Sequence, residues 1–287
     1  MAELKGRSSQ FVYASGSLGL VVNLKGNEAD VLLRGEKGKS LLDNVFFASN
    51  NIKLASNHVL RASNGLIWKP KQRGLRFTGS TDRVLITNTG LGNNLSSFTM
   101  SAWIKPASTA PSSWRCAIHK GTVSSVGGSH FWLGVNTSNQ YTATIGAPLA
   151  SGTYNAGSTG VTVTYNQWAH LCACWDGSVV RVYLNGELKK TYNLPAWQNQ
   201  TFNTRLATAH DSGTTYKFYG DVDDVRFYSR SLDQDEVLDI MYNEAIGNET
   251  GLIAYLDLNE ALGTTANDKV GGTYDGTIYG ATYFTEL

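Results

Sequence analysis

Phe218-Tyr219-Gly220-Asp221-Val222-Asp223-Asp224-Val225-Arg226-Phe227-Tyr228-Ser229-Arg230-Ser231-Leu232 is a β-rich run that carries three carboxylates and leads into a short helix. Strict alternation places Asp221, Asp223, Val225 and Phe227 on one face and Val222, Asp224, Arg226 and Tyr228 on the other, so each face mixes carboxylate with apolar side chain. Two solutions are open. Either a bulge shifts the register, or a carboxylate turns inward because a cation compensates it. The helix after it has clearer signals. Ser231 and Gln234 have the spacing of a capping box, Asp233, Asp235 and Glu236 suit the positive end of the helix dipole, and Gly247 is a stop. Val237, Leu238, Met241, Tyr242 and Ala245 form its apolar stripe.

Outward from this run the composition points the same way. Charged residues are only 16%, while 30 Gly, 14 Tyr and 7 Trp match many short strands joined by polar turns. A length of 287 residues allows one large all-β domain or a domain with an appendage. The net charge of +1 conceals an asymmetry, for residues 1–74 hold 11 Lys and Arg against 5 Asp and Glu. A basic N-terminal part on an acidic body suits different partners at the two ends, or else solvated charge spread over the surface. No compact basic cluster with interleaved aromatics points to nucleic acid. Cys116, Cys172 and Cys174 are too few for a disulfide framework and read as buried free thiols, Cys172 and Cys174 sharing a strand face without being placed to bridge. The start lacks the apolar core of a secretory signal, and no run of about 18 apolar residues occurs, so the chain reads as soluble, made in a reducing compartment and without a membrane span.

Residues 1–65 read as a β-rich arm. Gly19–Leu24 and Asp30–Arg34 are short apolar runs, and Ala-Ser-Asn recurs with a period of seven at 48–50, 55–57 and 62–64. Each repeat unit is a turn signal followed by three strand-like residues, Ile52-Lys53-Leu54, Val59-Leu60-Arg61 and Leu66-Ile67-Trp68. From residue 66 to 287 the expectation is one domain. Leu75–Gly79, Phe98–Ile104, Ala117–His119, Phe131–Val135, Tyr141–Ile145, Trp168–Trp175 and Val179–Leu184 have strand composition, and Asp176-Gly177 and Asn185-Gly186 are hairpin signals. The expected fold is all-β: an antiparallel β-sandwich with one short helix, preceded by the small β-rich arm.

These segments, in this order, resemble the laminin G-like members of the concanavalin A-like lectin/glucanase superfamily over about residues 75 to 240, which implies that the antiparallel β-sandwich is a jelly roll. The marks are Leu75-Arg76-Phe77-Thr78-Gly79 with Asp82-Arg83-Val84, Phe98–Pro106, Asn166-Gln167-Trp168-Ala169-His170, Trp175-Asp176-Gly177, Val182–Gly186 and the run ending at Leu232. One departure stands out. Gly251–Glu260, followed by Gly263–Asp268 and Asp275-Gly276-Thr277, is similar to the segment that precedes the family's first strand, yet here it follows the helix. A circular permutation accounts for this, with strand exchange between subunits or a truncated second domain as alternatives.

The resemblance also sets expectations for chemistry. Glucanases of the superfamily use a Glu-x-Asp-x-x-Glu strand, whereas here Asp221 and Asp223 are the nearest pair and Arg226 stands in place of the last Glu, so no enzyme is expected. A structural Ca²⁺ is implied, with Asp223 and backbone carbonyls near Thr78 and Gly79 as ligands; the alternative is that Asp223 pairs with Arg226 or a nearby Arg. Trp114, Tyr154 and Trp197 lie in loop-like surroundings and are the candidate ligand-binding aromatics, while Trp103, Trp132, Trp168 and Trp175 read as core. His170 reads as a structural histidine.

An extracellular type of sandwich without a leader, with free cysteines and a basic arm, fits a bacteriophage virion component. In that setting the expected protein is a non-catalytic capsid-decoration or tail-associated subunit, made in the host cytoplasm and shown on the virion surface. Its partners are other virion subunits through the arm, further copies of itself and a cell-surface glycan. A secreted or surface lectin module and a diverged glycoside hydrolase are the alternatives.

Overall fold

The computed structural model describes residues 18–25, 28–35, 52–54, 60–62, 73–107, 113–121, 129–146, 157–194, 199–212, 216–242, 245 and 247–285. The chain divides into two units, Met1–Pro70 and Lys71–Leu287. In the first, β1 (Leu18–Lys25) pairs antiparallel with β2 (Glu28–Gly35), and β3 (Ile52–Leu54) with β4 (Leu60–Ala62). The first two repeat units thus each supply a strand of a small hairpin, and Leu66-Ile67-Trp68 lies outside the described residues.

The second unit is a sandwich of two antiparallel sheets. Its strands are β5 (Arg73–Phe77), β6 (Arg83–Ile86), β7 (Phe98–Pro106), β8 (Arg115–Gly121), β9 (Ser129–Val135), β10 (Gln140–Ile145), β11 (Ser158–Thr162), β12 (Ala169–Trp175), β13 (Val179–Leu184), β14 (Glu187–Asn193), β15 (Thr204–Leu206) and β16 (Gly220–Tyr228). Helix α1 (Gln234–Tyr242) follows, then β17 (Leu252–Leu256), β18 (Thr265–Ala266), β19 (Gly276–Tyr279) and β20 (Thr282–Thr285). One sheet runs β11-β10-β9-β8-β15-β6-β19-β18; the other runs β14-β13-β12-β7-β16-β5-β20, with β17 added beside β16. No helix among the described residues is long and apolar enough to cross a membrane.

The decisive run is β16, the strand between β7 and the split edge formed by β5 and β17. Its carboxylates are accommodated by a bulge. Asp223 faces Trp103 and Arg226 faces Ser101, so three steps on β16 match two on β7, and the extra residue, Asp224, adopts a left-handed φ of 56°. The bulge flips the alternation. Val222, Val225 and Phe227 all enter the core, where each fully buried side chain contributes roughly 1.5–3 kcal/mol, and Asp221, Asp223, Arg226 and Tyr228 lie on the outer face. At the same point the neighbour on the far side changes: β5 pairs with Gly220–Val222, β17 with Val225–Tyr228.

The C-terminal segment is integrated into both sheets of its own chain. Besides β17 on β16, β19 pairs with β6 and β20 with β5, and Ala254, Leu256, Leu258, Ala266 and Ile278 join the common core.

Local chemistry explains two differences from expectation. The capping box is formed by Asp233 and Glu236, not Ser231 and Gln234: Asp233 Oδ1 accepts the Glu236 N–H at 2.9 Å and Glu236 Oε2 accepts the Asp233 N–H at 3.0 Å. The Leu232 N–H instead donates to Thr99 Oγ1 at 3.1 Å, which fixes the chain to β7 before the helix begins. Asn185 and Gly186, with φ of 54° and 76°, make the two-residue hairpin turn expected of them, whereas Asp176 closes a longer loop by accepting the N–H groups of Ser178 and Val179. A Cβ at Gly186 would lie 2.3 Å from Leu238 Cδ2, so glycine serves both the turn and the seating of α1.

Candidate functional site

On the sheet that runs from β11 to β18, Ile118, Leu133, Ala143 and Leu206 point into the core, which sends their strand neighbours outward. Register then builds a row of outward side chains across five strands: Thr144 faces Trp132, Trp132 faces His119, His119 faces Arg205 and Arg205 faces Leu85. Trp114, just before β8, is half-buried and meets Trp132 edge to face, with ring centroids 5.0 Å apart at 80°. Cys116 and Ala209 pack beside this pair.

The row is polar but buried. Arg205 Nε is ion-paired with Asp211 Oδ1, its Nη1 donates to the Gly121 carbonyl at 3.0 Å, and Asp211 Oδ2 accepts from Asn203 Nδ2 at 3.0 Å. Burial, and secondarily the charge on Arg205, push the His119 pKa down to about 3, so its imidazole is neutral at physiological pH. Trp132 Nε1 and, two residues along β10 from Thr144, Thr142 Oγ1 are buried without a hydrogen-bond partner among the described residues.

Of the three aromatics proposed from sequence, the structure places Trp114 here; Tyr154 and Trp197 lie outside the described residues. Trp103, Trp132 and Trp175 are buried as expected, but only Trp175 packs between the two sheets; Trp103 and Trp132 lie on the outer faces of theirs, and Trp168 is partly buried just before β12. The signal was present in the alternation of Phe131, Leu133 and Val135, which leaves Trp132 on the opposite face.

The carboxylates of β16 occupy the outer face of the other sheet. Asp221 is held bidentately by Arg76, at 2.7 and 2.9 Å, with Lys105 Nζ 3.8 Å away. Phe284 and Trp168 stack over this face, 6.2 Å apart at 20°, and Arg76 lies 4.6 Å from the Phe284 ring centre. Gly74 makes room for that ring, since a Cβ there would sit 3.3 Å from it and 3.1 Å from the Cβ of Asp223. His170 is buried against Trp103, with rings 5.4 Å apart. Arg226 pairs bidentately with Asp224, at 2.6 and 2.9 Å; burial alone would lower its pKa, but the Asp224 charge raises it.

The implied calcium ligands do not gather. Phe77 pairs with Gly220 and Leu75 with Val222, so Asp223 lies beside Gly74, four residues from Thr78 and about 13 Å along the strand. The N–H groups of Thr78 and Gly79 both point at Asp82 Oδ2, at 2.9 and 2.6 Å. Among the described residues no group of three or more His, Cys, Asp or Glu is placed to hold a metal ion. Asp223, Thr78 and Gly79 therefore do not fit one shared ion.

A family model described as concanavalin A-like lectin/glucanases superfamily, of laminin G type, matches residues 78–238. No curated protein matches the chain. Among solved structures, a candidate carbohydrate-binding protein from Bacteroides ovatus is similar with a TM-score of 0.54 at 15% identity, over 95% of this chain and 80% of that one. A heptameric SAP-like pentraxin from Limulus polyphemus gives 0.48 at 14% identity, over 75% and 94%. The CBM40 of a Ruminococcus gnavus IT-sialidase, bound to α2,3-sialyllactose, gives 0.43 at 14% identity, over 60% and 98%.

Proposed function

Since this chain belongs to the concanavalin A-like lectin/glucanases superfamily, we propose that it is a non-catalytic, lectin-like protein that binds a carbohydrate on the outer face of the sheet that runs from β11 to β18. The observation that carries this is the row from Thr144 to Arg205 with the half-buried Trp114 at its side. Trp114, half-buried beside the row, offers a ring edge and face to stack on a sugar. The blocked Asp221 supports binding without hydrolysis. Glycan screening followed by calorimetry tests it. Trp114→Ala should weaken the selected sugar roughly 3- to 10-fold, the equivalent of ~0.5–1.5 kcal/mol for a stacked ring, while the lost pairing with Trp132 lowers the melting temperature without preventing the fold. A chain that binds no glycan, or whose binding survives Trp114→Ala, does not use this face.

The wider setting we read as display on an assembled particle, such as a phage capsid or tail, with the first unit as docking arm. The excess of basic charge in residues 1–74 and the separate compactness of Met1–Pro70 support it. If the full chain coats a particle or oligomerises while residues 71–287 stay monomeric, the arm is an assembly device; identical behaviour of the two would reject that role.

We also read the C-terminal segment as the family's displaced first strands. Supporting this, Thr285 pairs with Arg73, so the end of β20 and the start of β5 are neighbours that a short hairpin would join. A chain reordered as 250–287, a turn, then 71–242 should fold to the same two sheets.

A further inference from the structure

At the far side of the same sheet face, on β6 and β19, lies a cation that the sugar site described above does not use. Val84 and Ile86 point into the core, so Arg83 and Leu85 face outward, and register sets Arg83 opposite Tyr279 and Leu85 between Arg205 and Thr277. The patch continues the row that runs from Thr144 to Arg205, but it is open to solvent: Tyr279 is 40% exposed, Thr277 is exposed and Arg83 is partly exposed. The guanidinium is held in place. Its centre stands 3.9 Å over the Tyr279 ring, and Nη1 donates to the Thr81 carbonyl at 2.9 Å. Arg76, Arg181, Arg205, Arg226 and Arg230 each meet a carboxylate, whereas Arg83 enters no ion pair among the described residues and its Nη2 has no hydrogen-bond partner there. The adjacent acid, Asp82, is engaged elsewhere: its Oδ2 accepts the N–H groups of Thr78 and Gly79. A second cation lies close by. Lys217 is buried and donates from Nζ to the Asp82 carbonyl; burial first, and the Arg83 charge after it, press its pKa down to about 8 against the pull of Asp82, so it keeps its proton at neutral pH.

We infer that Arg83, fixed against Tyr279, receives a carboxylate of the bound glycan, so that the ligand is acidic, an oligosaccharide of the uronic-acid class. This rests on the reading that the outer face of this sheet binds sugar, and it adds the charge of what is bound. A planar guanidinium with a free edge matches a planar carboxylate through two parallel N–H···O bonds, one from Nη2 and one from the remaining Nη1 hydrogen. Because the Tyr279 ring and the Thr81 carbonyl already hold the side chain, little rotamer freedom is lost when the ligand arrives. Thr277 and Thr265, paired across β19 and β18 and both exposed, offer hydroxyls beside it. From Trp132 on β9 to Tyr279 on β19 there are four strand spacings, ~19 Å, so a chain that touches both Trp114 and Arg83 holds several sugars.

The test uses the full chain and a matched pair of ligands, tetragalacturonate and its methyl ester, which differ chiefly in charge. Calorimetry should show the acid bound about tenfold tighter than the ester in about 50 mM salt, with the preference shrinking in about 500 mM salt. Arg83→Gln should bring the two ligands to within about twofold of each other. The salt comparison needs no variant, so it decides even if Arg83→Gln fails to fold. Equal affinity for acid and ester, or a preference that Arg83→Gln keeps, overturns the role of Arg83 and leaves the sugar-binding reading to stand on Trp114→Ala. Binding of neither ligand overturns it as well, and the glycan screen then decides the wider reading by itself.

Discussion

Replacing Arg226 by Met is the sharpest perturbation of the bulged strand. The guanidinium is 2% exposed and closes a bidentate pair on Asp224, whose carboxylate would be left buried without its cation. Removing one member of such a pair costs about 3–5 kcal/mol, while methionine keeps most of the aliphatic bulk packed near Tyr255. At ~2–4 °C per kcal/mol for a unit of this size, the melting temperature should fall by roughly 6–20 °C. Urea unfolding of the parent, Arg226→Met and the double variant Asp224→Gly/Arg226→Met measures it. The double variant removes the stranded carboxylate and places glycine where φ is 56°, so it should regain at least about 2 kcal/mol of the loss. A single variant that costs under ~1 kcal/mol, or a double no more stable than the single, would show that the pair does not hold the bulge.

Three further outcomes are expected. His119 ordinarily titrates at 6.5 and in the fold at about 3, so in that window the unfolded chain binds the extra proton; stability declines as pH falls from 6.5 toward 3, by up to ~1.4 kcal/mol per pH unit, and His119→Asn should flatten the slope of melting temperature against pH. EDTA should leave the melting temperature of the protein unchanged, because Asp223 and the Thr78-Gly79 turn do not meet; a fall of several degrees would restore a calcium ion to this fold. A chain ending at residue 250 lacks β17 to β20 and five core side chains, and should fail to unfold cooperatively; a soluble product melting within a few degrees of the full chain would show those strands to be dispensable.

Much of this was legible because strands and their turns are local. Phe98–Ile104, Tyr141–Ile145 and Val179–Leu184 read as strands from composition, and all three fall in the sandwich. Asn185-Gly186 marked its hairpin because few other dipeptides accept two positive φ values in succession. Trp132 was harder, since a tryptophan in a strand is equally buried on the core face or under an outer layer, and only the neighbours across the sheet distinguish them. The capping box falls two residues later than expected, at Asp233 and Glu236, and the Gln234 side chain instead donates to the Gly186 carbonyl, 48 positions away.

The run from Gly220 to Leu232 shows where the division lies. From the amino-acid order alone came an all-β chain, a final strand with carboxylates on both faces, a bulge or a cation as the way to accommodate them, and a helix after it; these rest on periodicity and backbone preferences within a few residues. Which solution holds, and which arginine meets which aspartate, was settled by tertiary structure. Asp224 takes the extra position with Arg226, Asp221 is met by Arg76 from a strand 145 residues earlier, and the bulge falls where β5 gives way to β17. Partners brought together by sheet pairing leave no periodic trace in the sequence, because register across strands depends on how the whole sandwich closes.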